Sequence, residues 1–121
     1  MSDFDSVVSR YLAVWNETDP PARRKRIDEL FAADVRYVDP MAAVSGREAL
    51  DGLVGAVQQQ FPGLTFSLGE PVDAHHDQAR FGWTVNGPDG GVAVAGIDVV
   101  TFGADGRIQT AIGFFGDIAA A

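Results

Sequence analysis

The chain has 121 residues, a formal charge of −8 and no cysteine. That length fits one domain across residues 1–121, large enough to bury about two thirds of its unfolded surface without a covalent staple. The missing thiols exclude disulfide and thiolate chemistry, and the acidic balance makes nucleic acid and anionic membranes poor partners.

Phe4, Val7, Val8, Tyr11, Leu12 and Trp15 recur at three- and four-residue spacing, which predicts a helix over residues 4–17 with one apolar face. Asp19 before Pro20 and Pro21 reads as an N-cap followed by proline in the first turn. A second helix then runs to about residue 31, with Ile27, Leu30 and Phe31 inward. Arg23, Arg24, Lys25 and Arg26 hold four of the nine basic residues. They read as a solvated helix face, with an anionic ligand or partner as the alternative.

A short strand is expected over residues 35–38, stopped by Pro40. Ser45-Gly46-Arg47-Glu48 has capping-box spacing. It should open a third helix with Leu50, Leu53, Val54, Val57 and Phe61 on its buried side, ended by Pro62 and Gly63. The remainder alternates like strands: Leu64, Phe66 and Leu68, then Phe81, Trp83 and Val85. A turn cluster at residues 86–91 precedes a long strand over residues 92–102. Ala104-Asp105-Gly106 makes a tight turn into a last strand over residues 108–115. Helices first and a strand meander afterwards predict an α+β fold, a curved antiparallel sheet wrapped by three helices from the N-terminal half around an apolar pocket. The sheet's other face is also apolar, which points to a homodimer. The first five residues carry two acids and no signal-like region, and no apolar run approaches the roughly 20 residues of a membrane span. The expected location is the cytoplasm.

Asp98 is the most informative position. It lies inside a strand, with Gly96, Val100, Val94 and Phe102 on its own face. A carboxylate there is costly unless paired, and its usual escape is a raised pKa. Two readings fit: an aspartate facing water or pairing with an arginine such as Arg80, or a carboxyl held in an apolar cavity. Asp39, before Pro40, suits a turn starter or a functional carboxylate. Tyr11 sits on the apolar helix face, where a buried phenol needs a hydrogen-bond partner.

Taken together, Val7-Val8-Ser9-Arg10-Tyr11-Leu12, then Asp39-Pro40, then Ile97-Asp98-Val99-Val100-Thr101-Phe102 with Asp105-Gly106-Arg107-Ile108 resemble bacterial ketosteroid isomerase, within the nuclear transport factor 2-like, SnoaL-like superfamily. The resemblance runs over residues 7–115. It implies a cone-shaped, cystatin-like roll. It also implies roles: Asp39 as the base that moves a proton between carbons of an enone, with Tyr11 and a protonated Asp98 as donors to the enolate oxygen. Where family members support the oxyanion tyrosine with further tyrosines, this chain has Phe31 and Val54. Limonene-epoxide-hydrolase-like relatives place an arginine two residues before the strand aspartate; here that position is Gly96.

Trp15, Phe66, Trp83, Val94, Val100 and Phe114 are candidates for an apolar substrate lining. His75 and His76 adjoin Asp73 and Asp77, but a regular strand points neighbours to opposite faces, and no further histidine or cysteine completes a metal site. No phosphate loop or dinucleotide fingerprint is present, so neither cofactor nor metal is expected. The expected activity is a cofactor-independent isomerase-like or cyclase-like reaction, through an enolate, on a hydrophobic small molecule. The alternative is a non-catalytic domain of the same fold that binds an apolar ligand or a protein partner.

Overall fold

The computed structural model describes residues 3–69 and 72–116. Three helices come from the first half of the chain: α1 (Asp3–Asn16), α2 (Pro20–Leu30) and α3 (Arg47–Gln60). Between and after them lie β1 (Phe31–Asp39), β2 (Ala42–Ser45), β3 (Thr65–Leu68), β4 (Asp73–His75), β5 (Gln78–Asn86), β6 (Val92–Phe102) and β7 (Ile108–Phe115). The apolar spacing of α1 buries Val8, Tyr11, Leu12, Val14 and Trp15. Asp19 caps α2, its carboxylate accepting from the Ala22 amide at 3.1 Å. No helix among the described residues is long and apolar enough to cross a membrane.

All seven strands form one sheet in the order β2-β1-β7-β6-β5-β3, with β4 also paired to β5. The sheet is mixed where antiparallel pairing alone was expected, because β1 and β7 run parallel. Most of the chain separates those two strands, so no tight turn dictates their relative direction. β1 begins at Phe31 rather than near Val35, and its pairing with β7 shifts between Phe31 and Arg36. That irregularity breaks the alternation a sequence pattern relies on. β2 and β4 are short additional strands whose residues alternate too briefly to be read.

The capping box does not form. Ser45 is the last residue of β2, and Gly46 takes the N-cap position of α3 with φ of 89° and no side-chain cap. Arg23 is not on a solvated face either. It is buried, with an ion pair to Asp51 at 2.6 Å and a hydrogen bond to Gln58 at 2.9 Å. Gln58 in turn donates to the carbonyls of Trp15 and Glu17 at 2.9 and 2.8 Å. This network ties α2 and α3 to the end of α1 that presents Trp15.

One face of the sheet packs on the helices through Ala79, Phe81, Trp83 and Val85 of β5 and Val100 of β6. Strand alternation sends Ile97, Val99, Ile112 and Phe114 to the other face. Ile112 and Phe114 are 39% and 51% exposed there.

Candidate active site

A cavity of about 480 Å³ lies between the helices and the inner face of the sheet, within the range typical of small-molecule sites. Its polar groups are Tyr11 from α1, Tyr37 and Asp39 from β1, and Trp83 and Asp98 from the β5–β6 pair, with Gln60 of α3 also in the wall. Leucine, valine and aromatic side chains make most of the remainder, including Trp15, Phe66, Val85 and Phe115. Among the described residues, no lysine, arginine or histidine lines it.

Asp98 is buried on the cavity floor, and both of its oxygens are engaged. The Tyr11 hydroxyl donates to Oδ2 at 2.6 Å and the Trp83 indole N–H donates to Oδ1 at 2.8 Å. Arg80 instead reaches Asp73 on the surface. Burial pushes the Asp98 carboxyl up to about 6, the Tyr11 and Trp83 donors pull it back, and the nearby Asp39 charge adds to the rise. Burial also raises the Tyr11 phenol well above its usual value, helped by the Asp98 charge, so it remains a donor.

Two glycines make this arrangement possible. A Cβ on Gly96 would stand 2.3 Å from Trp83 Cζ2 and 2.4 Å from the Phe114 carbonyl oxygen. The indole occupies the space that any larger residue at position 96 would fill. A Cβ on Gly113 would stand 2.7 Å from Asp98 Oδ1 and 3.4 Å from Asp39 Cβ, so this bare backbone separates the two carboxylates.

Asp39 ends β1 at the hairpin into β2. Its Oδ1 accepts from the amides of Met41 and Ala42 at 2.8 and 2.9 Å, and its Oδ2 accepts from the Tyr37 hydroxyl at 2.6 Å. It therefore holds the turn and also opens onto the cavity. A carboxylate offers about four acceptor sites, so three donors leave one for a substrate. Tyr37 joins the site beyond the residues the sequence pattern marks; its spacing of two from Asp39 on a strand puts both on one face. Its phenol is raised by burial and by the Asp39 hydrogen bond.

The aromatic support of Tyr11 is apolar: Phe81 lies edge-on at 5.3 Å and Phe31 tilted at 5.9 Å. Of the six lining candidates, Trp15, Phe66, Trp83 and Val94 line the cavity. Val100 and Phe114 do not. Val100 shares the face of Asp98 but is sealed in the core at 0% exposure. Phe114 points to the outer face, because Gly113 and Phe115 on either side of it point inward. Met41, Phe61 and Phe115 line the cavity while remaining largely exposed, which gives it an apolar mouth. His75 and His76 are exposed at the β4–β5 turn, their rings edge-to-face at 5.5 Å. Among the described residues no cluster of three or more metal-ligating side chains occurs.

Residues 8–111 match the model of the SnoaL-like domain. The chain belongs to the SnoaL-like domain family. A proposed isomerase of the SnoaL-like family from Agrobacterium tumefaciens str. C58 superposes on this SnoaL-like domain with a TM-score of 0.90 and 36% identity, covering 93% of this chain and 96% of that one. A proposed SnoaL-like polyketide cyclase from Jannaschia sp. CCS1 gives 0.72 at 21% identity, over 99% and 92% of the two chains. A nuclear transport factor 2-like protein of unknown function from Exiguobacterium sp. 255-15 gives 0.72 at 23% identity, over 92% and 98%. The last two establish the shared fold. No curated protein matches the chain.

Proposed function

We propose that this SnoaL-like domain is a cofactor-independent acid–base enzyme that forms and quenches an enolate on an apolar carbonyl compound, a steroid-like enone or a polyketide. The observation that carries the reading is the Tyr11–Asp98 pair, with oxygens 2.6 Å apart on the floor of a cavity that Asp39 also lines. The isomerase and cyclase proposed for related chains point the same way.

In the proposed reaction, Asp39 takes a proton from the carbon next to the substrate carbonyl. The C–H electron pair forms a new C=C bond, and the carbonyl π pair moves onto oxygen. Tyr11 and Asp98 donate hydrogen bonds to that oxygen as its charge grows, in a site where excluded water strengthens them. For isomerisation, Asp39 returns the proton to the γ-carbon. For cyclisation, the enolate carbon attacks a second carbonyl and the proton ends on the new alkoxide. Every step is proton transfer or carbon–carbon bond making, so the reading calls on no cofactor. Two carboxylates, with no cationic lining residue among the described residues, disfavour anionic substrates. The apolar outer face of the sheet is proposed to be covered by a second copy of the chain.

The reading is tested with a panel of steroid-like enones, their β,γ-unsaturated isomers and aromatic polyketides. Ligands are selected by thermal stabilisation and then followed for conversion by absorbance. Stabilisation with conversion is expected. Stabilisation by several ligands with conversion of none would favour a non-catalytic binding domain.

A further inference from the structure

We propose that Trp83 is a positioning residue for the acid: its indole N–H holds Asp98 Oδ1 as a permanent acceptor and directs the exchangeable proton to Oδ2, beside the Tyr11 hydroxyl. The inference deepens the proposed function and rests on its reading of Asp98 as an acid.

An indole N–H donates and cannot accept, whereas a phenol does both. Oδ1 stands 2.8 Å from Trp83 Nε1. A proton on Oδ1 pointing toward that donor would set two hydrogens against each other. Oδ2 stands 2.6 Å from the Tyr11 oxygen, which can accept from a protonated carboxyl and still donate its own hydrogen onward. In the ligand-free site the acid proton on Oδ2 thus rests on Tyr11, and a ligand oxygen entering beside the pair receives both hydrogens in place of that contact. The carboxyl cannot readily swing away from this arrangement. Gly113 gives Oδ1 a fitted slot, and Gly96 lets the indole reach it.

The groups facing Asp98 are few. They are Tyr11 from α1, Tyr37 and Asp39 from β1, Trp83 from β5 and the bare backbone of Gly113 from β7. From α3 the cavity receives Leu53, Ala56, Val57 and Gln60, none of them charged. Asp39 is thus the charged neighbour, and the two donors oppose its effect. Removing the Trp83 donor weakens the ionised form of Asp98 and leaves Oδ1 free to take the proton.

The test is nuclear magnetic resonance titration of the ligand-free protein, which needs no turnover, so its failure and a failure of the enolate reading are separable. In the native protein the Trp83 indole N–H resonance should move with the same midpoint as the Asp98 carboxyl carbon. In Trp83→Phe, which keeps an aromatic wall but no donor, the Asp98 midpoint should rise by about one pH unit. An unchanged Asp98 midpoint in that variant would overturn the proposal. If Trp83→Phe does not fold, the native titration decides alone: an indole N–H that ignores the ionisation of Asp98 overturns it.

Discussion

Gly113 stands directly opposite Asp98 in the β6–β7 ladder, and it is the absence of a side chain at Gly113 that leaves room for the Asp98 carboxyl. A methyl group there would come within 2.7 Å of Oδ1, closer than ordinary contact allows. Gly113→Ala should therefore cost about 1–3 kcal/mol by denaturant unfolding, and the Asp98 titration should change with it. A variant with native stability and native Asp98 titration would show that the slot is not required.

Asp98 should also leave its mark on the pH dependence of stability. Its folded value of about 6 lies above the unfolded 3.8, so between those values the native state holds a proton that the unfolded chain has lost. Stability from this group is complete below the unfolded value, falls as pH rises through the interval, and is gone above about 6. Its full size is on the order of 3 kcal/mol. Asp98→Asn should flatten that slope. It should also remain well packed, with its carbonyl oxygen toward Trp83 and its amide toward Tyr11. Urea unfolding of both proteins between pH 4 and about pH 7 checks the prediction; parallel curves would contradict it.

Tyr37 should matter to catalysis without touching the substrate oxygen. Tyr37→Phe removes one of three donors on Asp39 and frees its Oδ2. Turnover of a converted ketone should fall about tenfold, corresponding to the loss of one hydrogen bond to a charged group. The melting temperature should change little, because both backbone donors remain. Native turnover in the variant would remove Tyr37 from the site.

Light scattering should give twice the chain mass at micromolar concentration. The apolar outer face of the sheet includes Ile112 and Phe114, both substantially exposed in the single chain. Phe114→Glu should yield a monomer without disturbing the cavity, since this side chain is not part of its lining. A native protein of single-chain mass would leave the outer face without the proposed cover.

The α+β class, α1, α3 and the strands β5, β6 and β7 are legible from their apolar patterns, and α2 from the Asp19-Pro20-Pro21 start. The direction of β1 against β7 is not, because no local pattern encodes the pairing of strands so far apart. The capping box failed for a similar reason. Ser45 is claimed by pairing to Arg36 in β1, a tertiary contact that overrides a four-residue motif. At the site, the burial of Asp98 could be read from its apolar neighbours. Its partner Trp83 could not be, since their contact depends on the β5–β6 register and on the space left at Gly96. Phe114 and Phe115 are adjacent and both aromatic, so the sequence pattern alone does not separate them; the β6–β7 register turns Phe115 inward and Phe114 outward. Tyr37 could have been found from its two-residue spacing to Asp39.

Enolate formation at Asp39 is the central claim, and exchange of carbon-bound hydrogen reports it whichever product follows. A ketone that stabilises the protein is incubated in heavy water with the native protein or with Asp39→Asn, and deuterium at the α-carbon is followed by nuclear magnetic resonance. The asparagine can keep the turn, its carbonyl accepting from Met41 and Ala42 as Oδ1 does now. Rapid exchange is expected with the native protein and a loss of about 100-fold or more in the variant, with ligand stabilisation retained. Native-rate exchange in Asp39→Asn, or exchange no faster than in buffer when the native protein is saturated with ligand, would contradict it.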